Sequence, residues 1–448
     1  MAEKFRFRKP FLYKLLYLYA GFMHRLYYRR ITVIGIEKIP AGTPVIFAPN
    51  HQNALMDALA VLYATRKPVA FMARADIFKK PTMAKLLKFL RILPIYRIRD
   101  GYGELGRNQE VFQYTVDVLK SNLPLCVLPE GNHEGQKRLR QLKKGIFRIA
   151  FQAEESTSTP LNLSIVPVGI DYSDYFNAGT DLTIVFGTPI KIADYLANYH
   201  DNEARTINIL VELLAENMRN VMIHIPEEHY QLVHTLSEIY EPNVWNTRNT
   251  KRHPYNKLTI KQYIVQKLTE SFDKKPENVD IIDRTLNTYL FDIKKTGYTD
   301  TELQQNPPGF IMLLAGVALS ILVLPFHLYG LLLNYLPYKA TDLASAKIKD
   351  KHFKSSVQFG IGILLLPVYY LIVIILFCFL TDGLMLKAGF GLSLPISGIF
   401  AFYNFNHLKI LVQKVRLFFF RTTKGEQYKS LLEERNQLIN LIKTTINN

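Results

Sequence analysis

The sequence predicts an α/β domain, a central sheet flanked by helices, followed by a mainly helical region and a C-terminal multi-helix transmembrane region. Three observations lead there. Short β-forming runs alternate with helical periodicities up to about residue 190, residues 201–308 turn polar and helical in pattern, and residues 309–408 hold three long runs without Asp, Glu, Lys or Arg. At 448 residues the chain is also too long for one compact core.

Strand character is read at ITVIGI (31–36), PVIFA (44–48), VAFMA (69–73), LPIYRI (93–98), LCVLP (125–129), LSIVPVGI (163–170) and LTIVFG (182–187). Helical patterns at 53–65, 82–90, 107–121 and 144–155 fall between several of them, the signature of a largely buried sheet covered by helices. Pro307-Pro308 closes the polar helical stretch, which carries no interpretable motif, and 425–448 reads as one amphipathic terminal helix.

The uncharged runs 309–338, 357–380 and 388–408 are each long enough to cross roughly 30 Å of hydrocarbon. Lys339, Lys347, Lys349, Lys351 and Lys354 lie between the first two, and Lys409, Lys414, Arg416 and Arg421 follow the third. Three simple spans would set neighbouring basic segments on opposite sides, against the positive-inside tendency. The reading favoured here makes 309–338 a hairpin kinked at Pro325 and 357–408 a second hairpin turning at Thr381-Asp382-Gly383. All basic segments, the 409–448 tail included, then share the cytoplasmic side.

At the amino terminus Phe11, Leu12, Leu15, Leu16, Tyr19, Phe22, Met23 and Leu26 line one helical face, flanked by Lys14, Arg25, Arg29 and Arg30. The uncharged stretch is too short to span, so residues 1–30 are expected to lie in a membrane surface; a helix docked on the domain is the other reading. No signal peptide is expected, because Lys14 interrupts the apolar run and no small-residue cleavage site follows.

The formal charge of +17, from 55 Lys and Arg against 38 Asp and Glu, favours anionic partners such as a phosphate substrate, an acidic carrier or lipid headgroups. Nucleic acid is not expected, since neither a recognition helix nor an aromatic-basic single-strand motif is present. Cys126 and Cys378 sit in unrelated apolar runs and read as buried small hydrophobes, not as a disulfide or a metal site. His224 and His229, with Pro226 between them, lack the spacing of a helical metal pair, so no metal is expected.

Four clusters can carry chemistry. Asn50-His51-Gln52-Asn53-Ala54-Leu55-Met56-Asp57 follows the strand PVIFA. His51 can take a proton from a hydroxyl, and Asp57 can hold its tautomer, provided His51 sits in the turn before a helix and Asp57 reaches back. Arg97, in Pro94-Ile95-Tyr96-Arg97, can clamp a phosphate bidentately; a surface arginine on an edge strand is the plain alternative. Pro129-Glu130-Gly131-Asn132-His133 precedes Arg138, Arg140, Lys143 and Lys144, and its glycine lets backbone N–H groups approach a ligand. Val166-Pro167-Val168 has no titrating group and contributes shape.

Taken in order, the strand followed by NHxxxxxD, PIYR, PEG with a later KKG, and VPV resembles the phospholipid/glycerol acyltransferase family, the PlsC type, over roughly residues 31–190. FMARADIFKKP (71–81) and VFGTPI (185–190) support the likeness. Five residues rather than four separate His51 from Asp57, and Asn132-His133 stand where Thr-Arg is usual. Both departures look like the yeast-type glycerol-3-phosphate/dihydroxyacetone-phosphate acyltransferase branch.

The resemblance implies an acyltransferase domain at 31–200. It implies His51 as base, Asp57 as its support, and Arg97, Glu130 and Gly131 as acceptor-binding residues, with Pro167 on the donor side. Arg138, Arg140, Lys143 and Lys144 are candidate replacements for the missing arginine contact, and His133, inside the motif, is a candidate neighbour of the phosphate or of a carboxylate. It implies no cofactor beyond an acyl-CoA or acyl carrier protein thioester as co-substrate, and a phosphorylated glycerol acceptor, glycerol 3-phosphate or 1-acyl-glycerol 3-phosphate. Lys79, Lys80, Lys85, Lys88 and Arg91 among Phe78, Leu86, Leu87, Phe89 and Leu90 suit a membrane surface or an acidic carrier protein. Transfer to another lysophospholipid or an aminolipid, and an idle lipid-binding scaffold, fit the same residues.

Overall fold

A computed structural model of the chain describes residues 10–95, 107–248, 254–304, 309–348 and 350–447. The chain forms two compact units: Met1–His224 with Ile348–Ser356, and Ile225–Lys347 with Val357–Asn448.

The first unit runs α1 (Pro10–Tyr27), β1 (Tyr28–Ile34), β2 (Val45–Pro49), α2 (Ala54–Thr65), β3 (Ala70–Arg74), α3 (Pro81–Phe89), β4 (Ile92–Ile95), α4 (Arg107–Lys120), β5 (Leu125–Cys126), α5 (Gly145–Glu155), β6 (Ser164–Tyr172), β7 (Thr180–Phe186), β8 (Ile190–Lys191), α6 (Leu196–Asp201) and α7 (Glu203–Arg219). Seven strands follow the runs read from the sequence; β8 is an addition of two residues. LPIYRI is a strand through Ile95, and Arg97 lies outside the described residues.

The eight-stranded sheet has the order β1-β7-β6-β2-β5-β3-β4, with β8 also pairing β6. Strands β6, β2, β5, β3 and β4 run parallel, whereas β7 is antiparallel to β6 and β1 parallel to β7. The central strand β2 is buried along its whole length, as a parallel strand covered on both faces should be. Ile46, Met72, Leu125 and Ile165 of the sheet pack with Phe147, Phe151 and Leu210 of the helices into one core. Chain segments leaving the C-terminal ends of neighbouring parallel strands converge there, and that end of an open α/β sheet is where ligands bind.

Gly169 in β6 is set by packing. A Cβ there would lie 1.9 Å from the carbonyl oxygen of Val221, so only glycine allows the close approach.

The amino-terminal helix is docked on the domain, as the second reading has it. Tyr13, Tyr17, Gly21 and His24 form its docking face. Tyr13 meets Phe89 edge-on at 6.1 Å, Tyr17 packs on Tyr63 at 5.2 Å, and His24 lies between Tyr28 and Tyr63. Phe11, Leu12, Leu15, Leu18 and Phe22 remain exposed on the outward side, and the burial of His24 pulls its imidazole down to about 3. The helix is therefore docked and still presents an apolar face.

The second unit holds α8 (Tyr230–Arg248), α9 (Pro254–Lys274), α10 (Glu277–Thr296), α11 (Asp300–Leu303), α12 (Phe310–Ala346), α13 (Lys354–Cys378, its residues from Val357 onward), α14 (Leu384–Thr423) and α15 (Gly425–Asn447). Arg435 of α15 pins the helical region by binding Asp300 at 2.8 Å and the Ile239 carbonyl at 3.2 Å. Three helices, α12, α13 (with the turn before it) and α14, are long and apolar enough to cross a membrane.

The hairpin expected within 309–338 is not formed. Helix α12 is one uninterrupted helix of 37 residues, about 55 Å long at ~1.5 Å per residue, with Pro325 and Pro337 inside it. A proline removes one backbone bond but does not reverse a chain without turn residues beside it, and apolar helices tolerate it when neighbours satisfy the freed groups. The connection from α13 to α14 does include Thr381-Asp382-Gly383. Helices α12 and α14 pair antiparallel: Phe310 lies near Phe418, Tyr329 bonds Ser393 at 2.6 Å, and Asn334 donates to the Leu394 carbonyl. A Cβ on Gly330 would lie 2.2 Å from the Ser397 carbonyl oxygen, the small-residue approach that apolar helix pairs use.

Gly169→Ala is expected to lower the stability of the first unit by about 1–3 kcal/mol, as overpacking does. Chemical denaturation followed by tryptophan-independent far-UV signal measures it, and an unchanged midpoint would show that residue 221 yields.

Candidate active site

His51 lies in the turn between the C-terminal end of β2 and the start of α2, and Asp57 lies in the first turn of α2. The carboxylate reaches back, as the spacing requires. Asp57 is wholly buried, and its Oδ2 accepts from the backbone N–H groups of Gln52 and Asn53, both at 2.8 Å, and stands 2.9 Å from His51 Nδ1. Its Oδ1 accepts from the Tyr172 hydroxyl at 2.8 Å. Burial and the adjacent carboxylate push the Tyr172 phenol well above its ordinary value, which keeps it a donor. A carboxylate so placed accepts a hydrogen bond from Nδ1–H, the tautomer that leaves Nε2 of His51 as the lone-pair nitrogen.

The five residues between His51 and Asp57 fit because Ala54 takes a left-handed backbone, φ +43°, at the start of α2. Such a conformation is costly for a residue with a Cβ and persists where surrounding contacts impose it. Asn50 anchors the end of β2: its amide donates to the Ile170 carbonyl at 3.0 Å and accepts from the Ile170 N–H at 2.7 Å.

The loop after β5 grips the main chain of His51. Glu130 Oε1 accepts from the His51 N–H at 2.8 Å, and the Glu134 N–H donates to the His51 carbonyl at 3.3 Å. The other Glu130 oxygen accepts from the Arg140 N–H at 3.2 Å and stands 3.5 Å from its guanidinium. Glu130 is thus buried and engaged on both oxygens. Burial raises its carboxyl from 4.5 to about 6, against the pull of the His51 and Arg140 N–H groups and the guanidinium. Gly131 has φ +71°, a conformation that favours glycine, and the stem of Lys143 passes it, with Cγ 3.5 Å from where a Cβ would be.

The candidate cations separate into two kinds. Arg138 is paired with Glu134, and Arg140 with Glu130, Glu134 and the Asn132 carbonyl. Lys143 and Lys144 are exposed at the start of α5, and among the described residues neither has an ion-pair partner. The His133 ring lies 5.3 Å from that of His51, and burial with the neighbouring His51 lowers its pKa. Pro167 is buried inside β6, opposite Ala48 of β2, and supports the sheet beneath the site.

Sequence reasoning missed Tyr172, the anchoring role of Asn50, and the Tyr175 hydroxyl bond to Gln52 at 2.7 Å. Asn before His at a strand end was visible as a pair, but no local signal marks a tyrosine far along the chain. Cys126 is no rival nucleophile, since burial pushes its thiol up.

Residues 30–171 match the family model described as Acyltransferase. That segment is an acyltransferase-family domain. A 1-acyl-sn-glycerol-3-phosphate acyltransferase of Cocos nucifera is 25% identical over 45% of this chain and 60% of its own. Glycerol-3-phosphate O-acyltransferase 1 of Saccharomyces cerevisiae is 24% identical over 29% of this chain and 18% of its own. The chain thus spans less than two thirds of the length of either relative. The crystal structure of the 1-acyl-sn-glycerophosphate (LPA) acyltransferase PlsC from Thermotoga maritima aligns with a TM-score of 0.33 at 18% identity, over 46% of this chain and 79% of that one. Within the acyltransferase domain, the residues just described cluster at the C-terminal ends of β2 and β5.

The Glu130 value gives a signed prediction. Its folded pKa exceeds the unfolded one, so the stabilisation tied to its protonated form is full below about pH 4.5 and is lost as pH rises to about 6. The Tm advantage of the wild type over Glu130→Gln should therefore shrink across that window, by the equivalent of about 2 kcal/mol. A difference constant between pH 4 and 7 in thermal scans would contradict it.

Proposed function

We propose that the protein is a membrane glycerolipid acyltransferase. It moves a fatty acyl group from an acyl-CoA or acyl carrier protein thioester to glycerol 3-phosphate or 1-acyl-glycerol 3-phosphate. The observation that carries this reading is the His51–Asp57 pair, with Asp57 fixed by three other donors and the His51 side chain 13% exposed at the sheet's C-terminal end.

In the reaction, Nε2 of His51 removes the proton of the acceptor hydroxyl as its oxygen attacks the thioester carbonyl. The C–O bond forms, the C–S bond breaks, and the departing thiolate takes the proton back from the imidazolium. Asp57 orients the ring and stabilises its charge in between. Glu130 fixes the backbone of His51 and the loop of Arg140. Lys143, Lys144, His133 and, from the family resemblance, Arg97 bind the acceptor, with Gly131 giving the room. This chemistry uses no metal or prosthetic group.

Three apolar helices and the exposed apolar face of α1 support a membrane setting for a lipid product. We place the acyltransferase domain on the cytoplasmic side, where it would meet an acyl-CoA or acyl carrier protein donor; the positive-inside tendency no longer selects that side, because doing so needed the hairpin that α12 does not form.

Acyl transfer by the purified, detergent-solubilised protein tests the reading, with glycerol 3-phosphate and 1-acyl-glycerol 3-phosphate offered separately. His51→Ala is expected to lower turnover about 1,000-fold, within the ~10²–10⁴-fold contribution typical of a positioned base. Lys143→Ala and Arg97→Ala should chiefly raise the acceptor KM, each about tenfold. Turnover on neither acceptor, or undiminished turnover in His51→Ala, would overturn the assignment.

A further inference from the structure

The turn between α12 and α13 lies in the acyltransferase unit although the apolar helices on either side of it belong to the other. Residues Ile348–Ser356 belong to the same compact unit as Met1–His224. Their contacts include two residues beside the His51–Asp57 pair, Asn53 and His133.

The first contact is with the turn that holds Asp57. Ser355 Oγ donates to Asn53 Oδ1 at 2.6 Å, Ser356 Oγ to the Asn53 carbonyl at 3.3 Å, and the Leu55 N–H donates to Ser356 Oγ at 3.1 Å. Ser355 and Ser356 are both buried. Asn53 is also one of the two residues whose N–H groups bind Asp57. The second contact is with His133. Asp350 Oδ2 stands 3.3 Å from His133 Nε2, and Phe353 meets the His133 ring edge-on, centroids 4.4 Å apart at 86°. Asp350 is itself held, because its Oδ1 accepts from the His352 N–H at 2.9 Å and caps the turn Lys351–Phe353. A Cβ on Gly135 would lie 2.3 Å from His352 Nδ1, so that glycine lets the turn pass close to the loop after β5.

We propose that Asp350 is a positioning residue of the acceptor site, acting through His133, and that the turn between the two apolar helices forms part of that site. The inference rests on the function proposed above. Accepting from Nε2–H, Asp350 fixes the tautomer of His133 and leaves Nδ1 to accept a hydrogen bond. A polyol phosphate carries hydroxyl or phosphate-ester groups besides the reacting oxygen, and His133, 5.3 Å from His51, is placed to orient one of them. Phe353 sets the plane of the ring, and the two serines tie the same turn to the residue that holds Asp57. A chain segment delivered by membrane helices therefore shapes the pocket for a water-soluble head group.

The test uses the full-length protein with Asp350→Ala, Asp350→Asn and Phe353→Leu. Steady-state transfer should show the acceptor KM raised about three- to tenfold in Asp350→Ala, the cost of one ordinary hydrogen bond. Turnover should change less than KM, and Asp350→Asn should recover part of the effect, since an amide oxygen accepts the same bond. Independently of activity, diethyl pyrocarbonate labelling read by mass spectrometry should show His133, whose side chain is 7% exposed, modified several-fold faster in Asp350→Ala and Phe353→Leu. His200, at 63% exposure, is the internal reference. Unchanged His133 labelling in both variants would overturn the proposal, and so would a fall in turnover and Tm with KM unmoved. If the wild type transfers to neither acceptor, the functional reading fails, and the labelling alone decides whether Asp350 holds His133.

Discussion

The site depends on one buried carboxylate. Asp57 gathers two backbone N–H groups, a tyrosine hydroxyl and the Nδ1 side of His51 onto two oxygens, and the group is wholly buried. Burying a charge without such partners would cost several kcal/mol, so the turn, the helix start and strand β6 must all be in place for the charge to be tolerated. The left-handed Ala54, the Asn50 clasp on Ile170 and the grip of Glu130 on the His51 backbone all serve the same arrangement. Removing the Asn50 or Glu130 side chain would leave a buried N–H or carbonyl without its partner, at a cost of about 1–3 kcal/mol.

The apolar helices follow a different physics. Inside hydrocarbon the backbone must satisfy itself, which favours long uninterrupted helices, and α12 and α14 continue through their prolines. Their cohesion comes from glycines that let backbones approach and from a few polar side chains bonded to one another, such as Tyr370 to Asn334 at 2.6 Å. The segment Ile348–Ser356 breaks that pattern: it is short and polar, and it takes its contacts in the acyltransferase unit. In the function proposed above, membrane attachment and the shape of the acceptor pocket would share one stretch of chain.

Much of this was legible in the sequence, for reasons that differ by element. The buried strands were legible because parallel strands covered on both faces need continuous apolar runs, and PVIFA and LSIVPVGI are such runs. The meeting of His51 with Asp57 was legible as a geometric condition, a histidine in the turn and a carboxylate in the first helical turn. The fate of Pro325 was not, because a proline marks a lost hydrogen bond and says nothing about whether neighbours replace it. The division of the basic residues was hidden as well. Arg138 and Arg140 look like Lys143 and Lys144 in one dimension, and only the fold brings Glu130 and Glu134 beside the first pair.

By itself, then, the sequence determined the α/β domain, the apolar helices and which side chains carry a titrating imidazole or a positive charge near the motifs, since these follow from local pattern and intrinsic chemistry. The tertiary structure alone decided that Tyr172 completes the environment of Asp57, that Glu130 serves the His51 backbone, and that Asp350 reaches His133 from 217 residues away. Such pairings join residues whose separation along the chain carries no information about their distance, and they exist only once the sheet has set the ends of β2, β5 and β6 side by side.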